Sequence, residues 1–320
     1  MKKVIVIGSG NSGGGAIHDY LLSRQDFMSP FNGKEFRFIN DPNGLHDLYF
    51  QLYKNFSING SALALNNFLK FSENFYKSRY VVKNKLLRKN FKDNILNFIK
   101  NITFLSYNGA PRFYIDSFNL QKFISFQVKR RILKVQAKNI KLLKMFLPKD
   151  EKIFLKEAEK LLKKIMLGNV SISSAKNIVI EQGAIFWNPI ESTKFYGDRK
   201  IIIVTRDPRG IYWSMKRRKS LAYPYHNIDT FIKWYKNIFE KANLKKFKKN
   251  KLVKVIKFEN FINNFEKETK TLSNFLNIKH IKKNKFDIQN SKKKLYEAKK
   301  YLSKTEIIKI EKNLNNFLQW

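Results

Sequence analysis

Val4-Ile5-Val6-Ile7-Gly8-Ser9-Gly10-Asn11-Ser12-Gly13-Gly14-Gly15-Ala16 lies almost at the start of the chain. Four β-branched residues in a row make a strand suited to the middle of a parallel sheet, where both faces are covered. The glycines that follow allow backbone N–H groups to approach a phosphate, and a helix from Ala16 to Leu22 would add its positive end. Three ligands fit such a loop. Gly8, Gly10 and Gly13 meet the Gly-x-Gly-x-x-Gly spacing of a dinucleotide site. The acidic partner of that motif would then have to be Asp41, 28 residues after Gly13. A Walker-type triphosphate site fits less well, because no Lys-Ser or Lys-Thr follows the glycines. A nucleotide carrying a 5′-phosphosulfate is the third, and a tight strand-to-helix turn without a ligand is the plain alternative.

Outward from this loop, short apolar runs alternate with helical spacing. Strands are predicted at Phe36–Ile39, Asn177–Ile180, Lys200–Val204 and Leu252–Phe258, and helices over 209–219, 228–246, 262–276 and 304–318. Residues 60–106, with Leu63, Leu65, Phe68, Leu69 and Phe71, read as helical, and 112–168 as mostly helical and very basic from Lys129 to Lys144. This order predicts an α/β fold: a P-loop-like parallel sheet flanked by helices, with a large helical insertion between about 60 and 168. No apolar run approaches the ~18 residues of a membrane span, and the first one is too short for a signal peptide, so a cytoplasmic protein is expected.

Composition narrows the function. The 320 residues include 64 Lys and Arg against 25 Asp and Glu, a net charge of +39, which favours polyanionic partners and anionic surfaces. Lys, Asn, Ile and Phe are abundant together, as an adenine/thymine-rich coding sequence produces, so the charge by itself assigns no nucleic-acid partner. The absence of Cys excludes a thiol nucleophile, a disulfide framework and a Cys-ligated zinc. His18, His46, His226 and His280 are too scattered to suggest a metal cluster.

The segment Lys200-Ile-Ile-Ile-Val-Thr205-Arg206-Asp207-Pro208-Arg209-Gly210-Ile-Tyr212-Trp213-Ser214-Met-Lys216-Arg217-Arg218 is the more specific signal. A buried strand ends, Arg206 stands at its carboxyl edge, Asp207-Pro208 turn the chain and a helix begins. Ligands bind at that edge of an open parallel sheet. Ser214 lies one to two helical turns on, near enough to share an anion with Arg206, and a planar guanidinium with a hydroxyl suits a terminal phosphate monoester. A surface Arg–Asp pair followed by a solvated basic helix is the plain alternative. With the glycine loop, the pair of sites implies a nucleotide phosphorylated at both ends.

Here the chain resembles the sulfotransferases that use 3′-phosphoadenosine 5′-phosphosulfate (PAPS). The family's 3′-phosphate motif, an Arg at a strand end, Asp-Pro-Arg, and a Ser eight residues after the first Arg, is matched by Arg206, Asp207-Pro208-Arg209 and Ser214. Val253–Phe261 resembles the family's later strand, with the helix to Leu276 following it. The 5′-phosphosulfate loop reads Asn11-Ser12-Gly13-Gly14-Gly15, with Asn11 where the family has a basic residue and Gly14-Gly15 where it has hydroxyls. The resemblance covers 1–320 as a single domain except for 60–168, which stands as a helical insertion or acceptor-binding subdomain. It implies that Gly10, Asn11, Ser12, Gly13, Gly14 and Gly15 hold the 5′ group, and that Arg206 and Ser214 hold the 3′-phosphate. Lys292 and Lys293, with Lys294, resemble a late basic loop over the nucleotide. It also implies no metal and a product adenosine 3′,5′-bisphosphate (PAP).

Sulfotransferases acting on heparan-type glucosamine are similar around Gly33-Lys34-Glu35-Phe36-Arg37-Phe38, which makes Glu35 the expected base, with Asp41 and His46 as alternatives. Glu181-Gln182 follows a strand at the same edge, with Gln182 where the family commonly has a Lys. A glycan or glycolipid acceptor is expected, gripped by Arg112 and Lys129-Arg130-Arg131 with Tyr107 and Phe113 nearby, together with peripheral contact with anionic membrane through the charge. Three other readings stand beside this one. An NAD(P)- or FAD-dependent oxidoreductase would use Gly8, Gly10 and Gly13 but leave Arg206 and Ser214 idle. A nucleic-acid-binding protein would use the charge, although the aromatics fall in core-like periodicity. A non-catalytic sulfotransferase-like binder would account for Asn11, Gly14 and Gly15.

Overall fold

The computed structural model describes residues 1–31, 35–78, 81, 85–135, 142–167, 176–281 and 285–319. The chain begins with β1 (Lys2–Gly8), α1 (Gly14–Leu22) and β2 (Phe27–Met28). There follow α2 (Leu45–Tyr53), α3 (Ile58–Lys77), α4 (Lys85–Ile102), β3 (Thr103–Gly109), α5 (Arg112–Asp116), α6 (Leu120–Gln127), β4 (Leu143–Pro148) and α7 (Glu151–Leu167). The remainder is β5 (Asn177–Glu181), α8 (Pro189–Ser192), β6 (Arg199–Thr205), α9 (Pro208–Arg218), α10 (Ile228–Ala242), β7 (Val253–Lys257), α11 (Phe258–Asn263) and α12 (Phe265–Leu276). It closes with α13 (Ile288–Lys293), α14 (Glu297–Tyr301) and α15 (Lys304–Leu314).

Two compact units result, one from Met1–Arg37 with Val170–Trp320 and the other from Phe38–Asn169. The first holds a parallel five-stranded sheet in the order β2-β5-β1-β6-β7. This is the α/β architecture with a large helical insertion that the sequence predicts. β1 lies at the centre because Val4, Ile5, Val6 and Ile7 are all fully buried, with neighbours on both edges and cover on both faces. Val4, Val6, Val179, Ile202, Val204 and Ile256 pack against Ile17, Tyr20 and Leu21 of α1 and against Phe261, Ile262, Leu272 and Leu276. Strand order reverses about β1: the chain runs out to β2, returns through β5, and continues to β6 and β7 on the other side. Such a reversal opens a crevice at the carboxyl ends of the strands. In register, Val6 lies opposite Glu181, Gly8 opposite Val204, and Thr205 opposite Lys257, so the carboxyl ends of four strands share one edge.

Two elements differ from the sequence reading. Phe36–Ile39 is not a strand: Phe36 donates one backbone hydrogen bond to the Glu181 carbonyl, 2.9 Å, and the chain then turns. The edge position is taken by Phe27–Met28, paired with β5. The aromatics around 36–39 are buried for different reasons. Phe36 stacks on Phe31 at 4.7 Å, whereas Phe38 meets the rings of Phe68, Phe71, Phe75 and Phe91 in the other unit. The second difference lies in the Phe38–Asn169 unit, where β3 and β4 form an antiparallel pair within the stretch read as helical. Its helical core is as the periodicity requires: Leu65 and Phe68 of α3 and Phe154, Ala158, Leu161, Leu162 and Ile165 of α7 are buried. No helix among the described residues is long and apolar enough to cross a membrane.

Candidate functional site

The loops that leave β1, β5, β6 and β7 at the shared edge enclose a cleft of about 560 Å³. The glycine loop forms one wall. Gly10 and Gly13 have φ of 89°, in the left-handed region, where a side chain is strained. Space demands glycine as well: a Cβ at Gly10 would strike the Tyr223 hydroxyl, and one at Gly13 would strike the Phe258 ring. Asn11 adopts the same hand, φ 53°, a conformation that Asn tolerates better than most side chains. Gly13 is the N-cap of α1 and supplies no side-chain cap, and the first turn carries no acid. The amides at this helix start are therefore not taken up by a capping carboxylate, and the α1 dipole points its positive end into the cleft.

The wall opposite begins with Arg206, directly after β6, 93% withdrawn from solvent and over the Phe258 ring at 5.0 Å. Its Nη2 donates to the Lys294 carbonyl at 2.9 Å, and its Nη1 makes a long 3.5 Å hydrogen bond to the Asn11 carbonyl. Its Nε has no partner among the described residues. Burial lowers the Arg206 pKa, with Glu259 and Glu297 opposing, yet a guanidinium starting from so high a value stays charged. Ser214, also buried, donates to Asn11 Oδ1 at 3.3 Å. Asn11 thus joins the glycine loop to both Arg206 and Ser214.

Arg209 has another task. Asp207 caps α9, accepting from the Arg209 amide at 2.9 Å, and its two oxygens take Nε and Nη2 of Arg209 at 2.9 and 2.8 Å. Glu311 binds Nη1 of the same guanidinium. Asp207 is fully buried and also accepts from the Gln319 amide at 2.8 Å. The Asp-Pro-Arg turn is therefore a lock that holds the end of β6, and the free edge of the motif belongs to Arg206.

Carboxylates line the end of the cleft near Gly15. Glu181 Oε1 lies 3.4 Å from where a Cβ on Gly15 would stand. Burial pushes the Glu181 carboxyl above the usual glutamate range, with Glu35 and Asp19 adding to the rise and His18 and Arg218 opposing it. Glu35 is placed beside it because the Phe36 amide is bonded to the Glu181 carbonyl, and it forms an exposed 3.4 Å ion pair with Arg37. Arg217 and Arg218, from the last turn of α9, line the same cleft. Arg217 is committed to Glu297 at 3.0 Å, whereas no ion pair of Arg218 occurs among the described residues.

No protein-family model matches the chain, and no curated protein matches it. Among solved structures the chain is similar to the sulfotransferase domain from the Synechococcus PCC 7002 olefin synthase. The TM-score is 0.44 and the identity 10%, over 98% of this chain and 94% of that one. At that level the likeness transfers no residue role.

Of the residues expected from sequence, the cleft brings together Gly10 to Gly15, Glu35, Arg206 and Ser214. Asp41 and His46 belong to the Phe38–Asn169 unit. His46 lies in the first turn of α2, 3.8 Å from Asp47, whose carboxyl it holds below the usual range. Lys292 and Lys293 lie on α13 with exposed side chains, and the neighbour that lines the cleft is Lys294. Sequence reading did not assign Tyr223, Lys285, Asn290 or Ser291, all of which line the cleft. Their segments carry no local signal, because what selects them is proximity to a sheet edge far away along the chain. Among the described residues no group of His, Asp and Glu is placed to hold a metal.

Proposed function

We propose that the chain is a sulfotransferase that moves the sulfuryl group of PAPS to a hydroxyl or amine of a glycan or glycolipid. One observation carries this reading: the glycine loop and the Arg206–Ser214 pair, 195 residues apart in sequence, meet through Asn11 at one cleft. Two anion sites of different construction then face a single ligand, as a nucleotide phosphorylated at both ends requires. The residues also fit the groups chemically. The amides from Gly10 to Gly15 at the α1 N-terminus suit the 5′-phosphate. Arg206, with a long 3.5 Å contact to Asn11 that a phosphate oxygen would replace, and Ser214 suit the 3′-phosphate.

In this scheme the acceptor oxygen or nitrogen gives its proton to Glu35 as its bond to sulfur forms. The sulfur–oxygen bond to the 5′-phosphate breaks, and the extra charge leaves on adenosine 3′,5′-bisphosphate. Glu35 is the expected base that lies in the unit holding the cleft, and its exposed side chain lines that cleft within reach of an acceptor. Arg218 supplies the positive charge that Asn11 does not, since Asn donates hydrogen bonds but cannot neutralise a phosphate.

Isothermal titration at moderate salt tests the donor class. Adenosine 3′,5′-bisphosphate should bind at least tenfold more tightly than adenosine 5′-phosphate, the worth of one charge-assisted contact set of about 1.5 kcal/mol or more. Equal affinities, or preference for a nicotinamide dinucleotide, would overturn the assignment.

A further inference from the structure

The segment 112–135 in the Phe38–Asn169 unit has its amphipathic pattern turned outward. Leu120, Phe123 and Ile124 occupy i, i+3 and i+4 of α6, the spacing that ordinarily faces a core. Here Leu120 is 74% and Ile124 52% exposed, and Ile132 and Leu133, just beyond, are 71% and 62% exposed. This is not a loosely held helix. Asn119 caps it, accepting from the Lys122 amide at 2.9 Å. Its inner face is fixed by Phe126 against Phe118 and by Phe118 against Tyr114, ring centroids at 5.7 and 4.9 Å. Tyr114 in turn packs on the buried cluster of Ala62, Leu143 and Met145. The outward aliphatic side chains are therefore held in place by the fold. Exposed apolar side chains clustered along one fixed segment mark an interaction surface.

The charge around the patch identifies the partner. Between 112 and 135 there are six basic residues, Arg112, Lys122, Lys129, Arg130, Arg131 and Lys134, against one acid, Asp116. A second copy of the chain would bring the same positive surface and be repelled. Nucleic acid would use the charge but leave Leu120, Ile124, Ile132 and Leu133 in water, because aliphatic side chains offer no ring for bases to stack on. An anionic bilayer uses both: the headgroups neutralise Lys and Arg, and side chains projecting from a convex helix enter the acyl boundary with no matching groove. We propose that α6 and the turn after it dock the protein in the plane of an anionic membrane surface, with Leu120, Phe123, Ile124, Ile132 and Leu133 inserted. This is independent of the sulfuryl-transfer reading.

The test must separate insertion from the diffuse attraction that a net charge of +39 produces. Vesicles of phosphatidylcholine, with or without phosphatidylglycerol, are floated with the full chain at about 0.15 M and about 0.5 M salt, because screening removes exposed-charge attraction at the higher value. The wild type should float with the anionic vesicles and stay bound in part at high salt. Leu120→Ser combined with Ile124→Ser, which leaves the charge unchanged, should lose about tenfold in vesicle partition. The chain has no Cys, so Ile124→Cys can carry a single environment-sensitive fluorophore, with Lys312→Cys as a control. A blue shift at 124 and none at 312 on adding anionic vesicles supports insertion. Flotation of the double variant equal to wild type, no shift at 124, or self-association of the wild type that the double variant abolishes would each overturn the proposal.

Discussion

The two walls of the cleft are made in opposite ways. Across the glycine loop, the groups that face the cleft are backbone amides, set by left-handed φ at Gly10, Asn11 and Gly13 and by the start of α1, with no charged side chain. Across the β6 wall, the groups that face the cleft are side chains, a buried guanidinium over Phe258 and a buried hydroxyl. Geometry alone supports the first, and any substitution that adds a Cβ at Gly10 or Gly13 closes it. Charge supports the second, and Asp207 does not neutralise it because Asp207 is paired with neighbouring Arg209. The two arginines, three residues apart, show what the difference teaches: a guanidinium matched by carboxylates holds the chain together, and one held by carbonyls leaves its charge unneutralised at the cleft.

The largest effect that bears on this contrast is expected from Arg209→Ala. It leaves Asp207 buried without its cation and should cost about 3–5 kcal/mol of stability in denaturant unfolding. A folded variant with wild-type stability but no bisphosphate affinity would reverse the roles assigned to the two arginines. Glu35→Gln should lower turnover about 10²-fold or more while leaving bisphosphate affinity unchanged in titration. Retained turnover would send the search for a base to Glu181, or to Asp41 and His46. Arg206→Ala should weaken bisphosphate binding by about 1.5–3 kcal/mol, with a smaller stability loss than Arg209→Ala. Unchanged affinity in the folded variant would remove the 3′-phosphate site.

The smallest effect concerns Glu181. Burial raises its pKa in the folded chain, so the folded state binds the proton more tightly than the unfolded state does. Stability on this account is greatest while the group is protonated and falls as pH rises from the ordinary glutamate range through the raised folded value. Glu181→Gln should flatten that fall, so that thermal unfolding at pH 7 favours the variant more than at pH 4. The same difference at both pH values would show that Glu181 is not desolvated as its position at the Gly15 end requires.

Several of these features could be read along the chain because their causes are local. The β-branched runs at 4–7 and 201–204 form the central strands, and the Asp207-Pro208 boundary starts α9 with Asp207 as its cap. Phe36–Ile39 misled because β-branched and aromatic density measures burial as well as strand pairing, and here Phe36 and Phe38 are buried in separate units. The three consecutive lysines at 292–294 could not be told apart by sequence. The end of α13 turns Lys294 toward the cleft and leaves Lys292 and Lys293 exposed.

What the sequence determined by itself is the sheet with its glycine turn and its Arg206-Asp207-Pro208 turn, since strand periodicity, glycine spacing and the eight residues from Arg206 to Ser214 act over one or two turns of chain. What only the tertiary structure decided is the use of each charge. Arg209 meets Glu311 from 102 residues away, Arg206 meets the Lys294 carbonyl from 88 away, and Glu35 is set beside Glu181 by a hydrogen bond between distant segments. Electrostatic roles are fixed by burial and by neighbours in space, and a chain read in order contains neither.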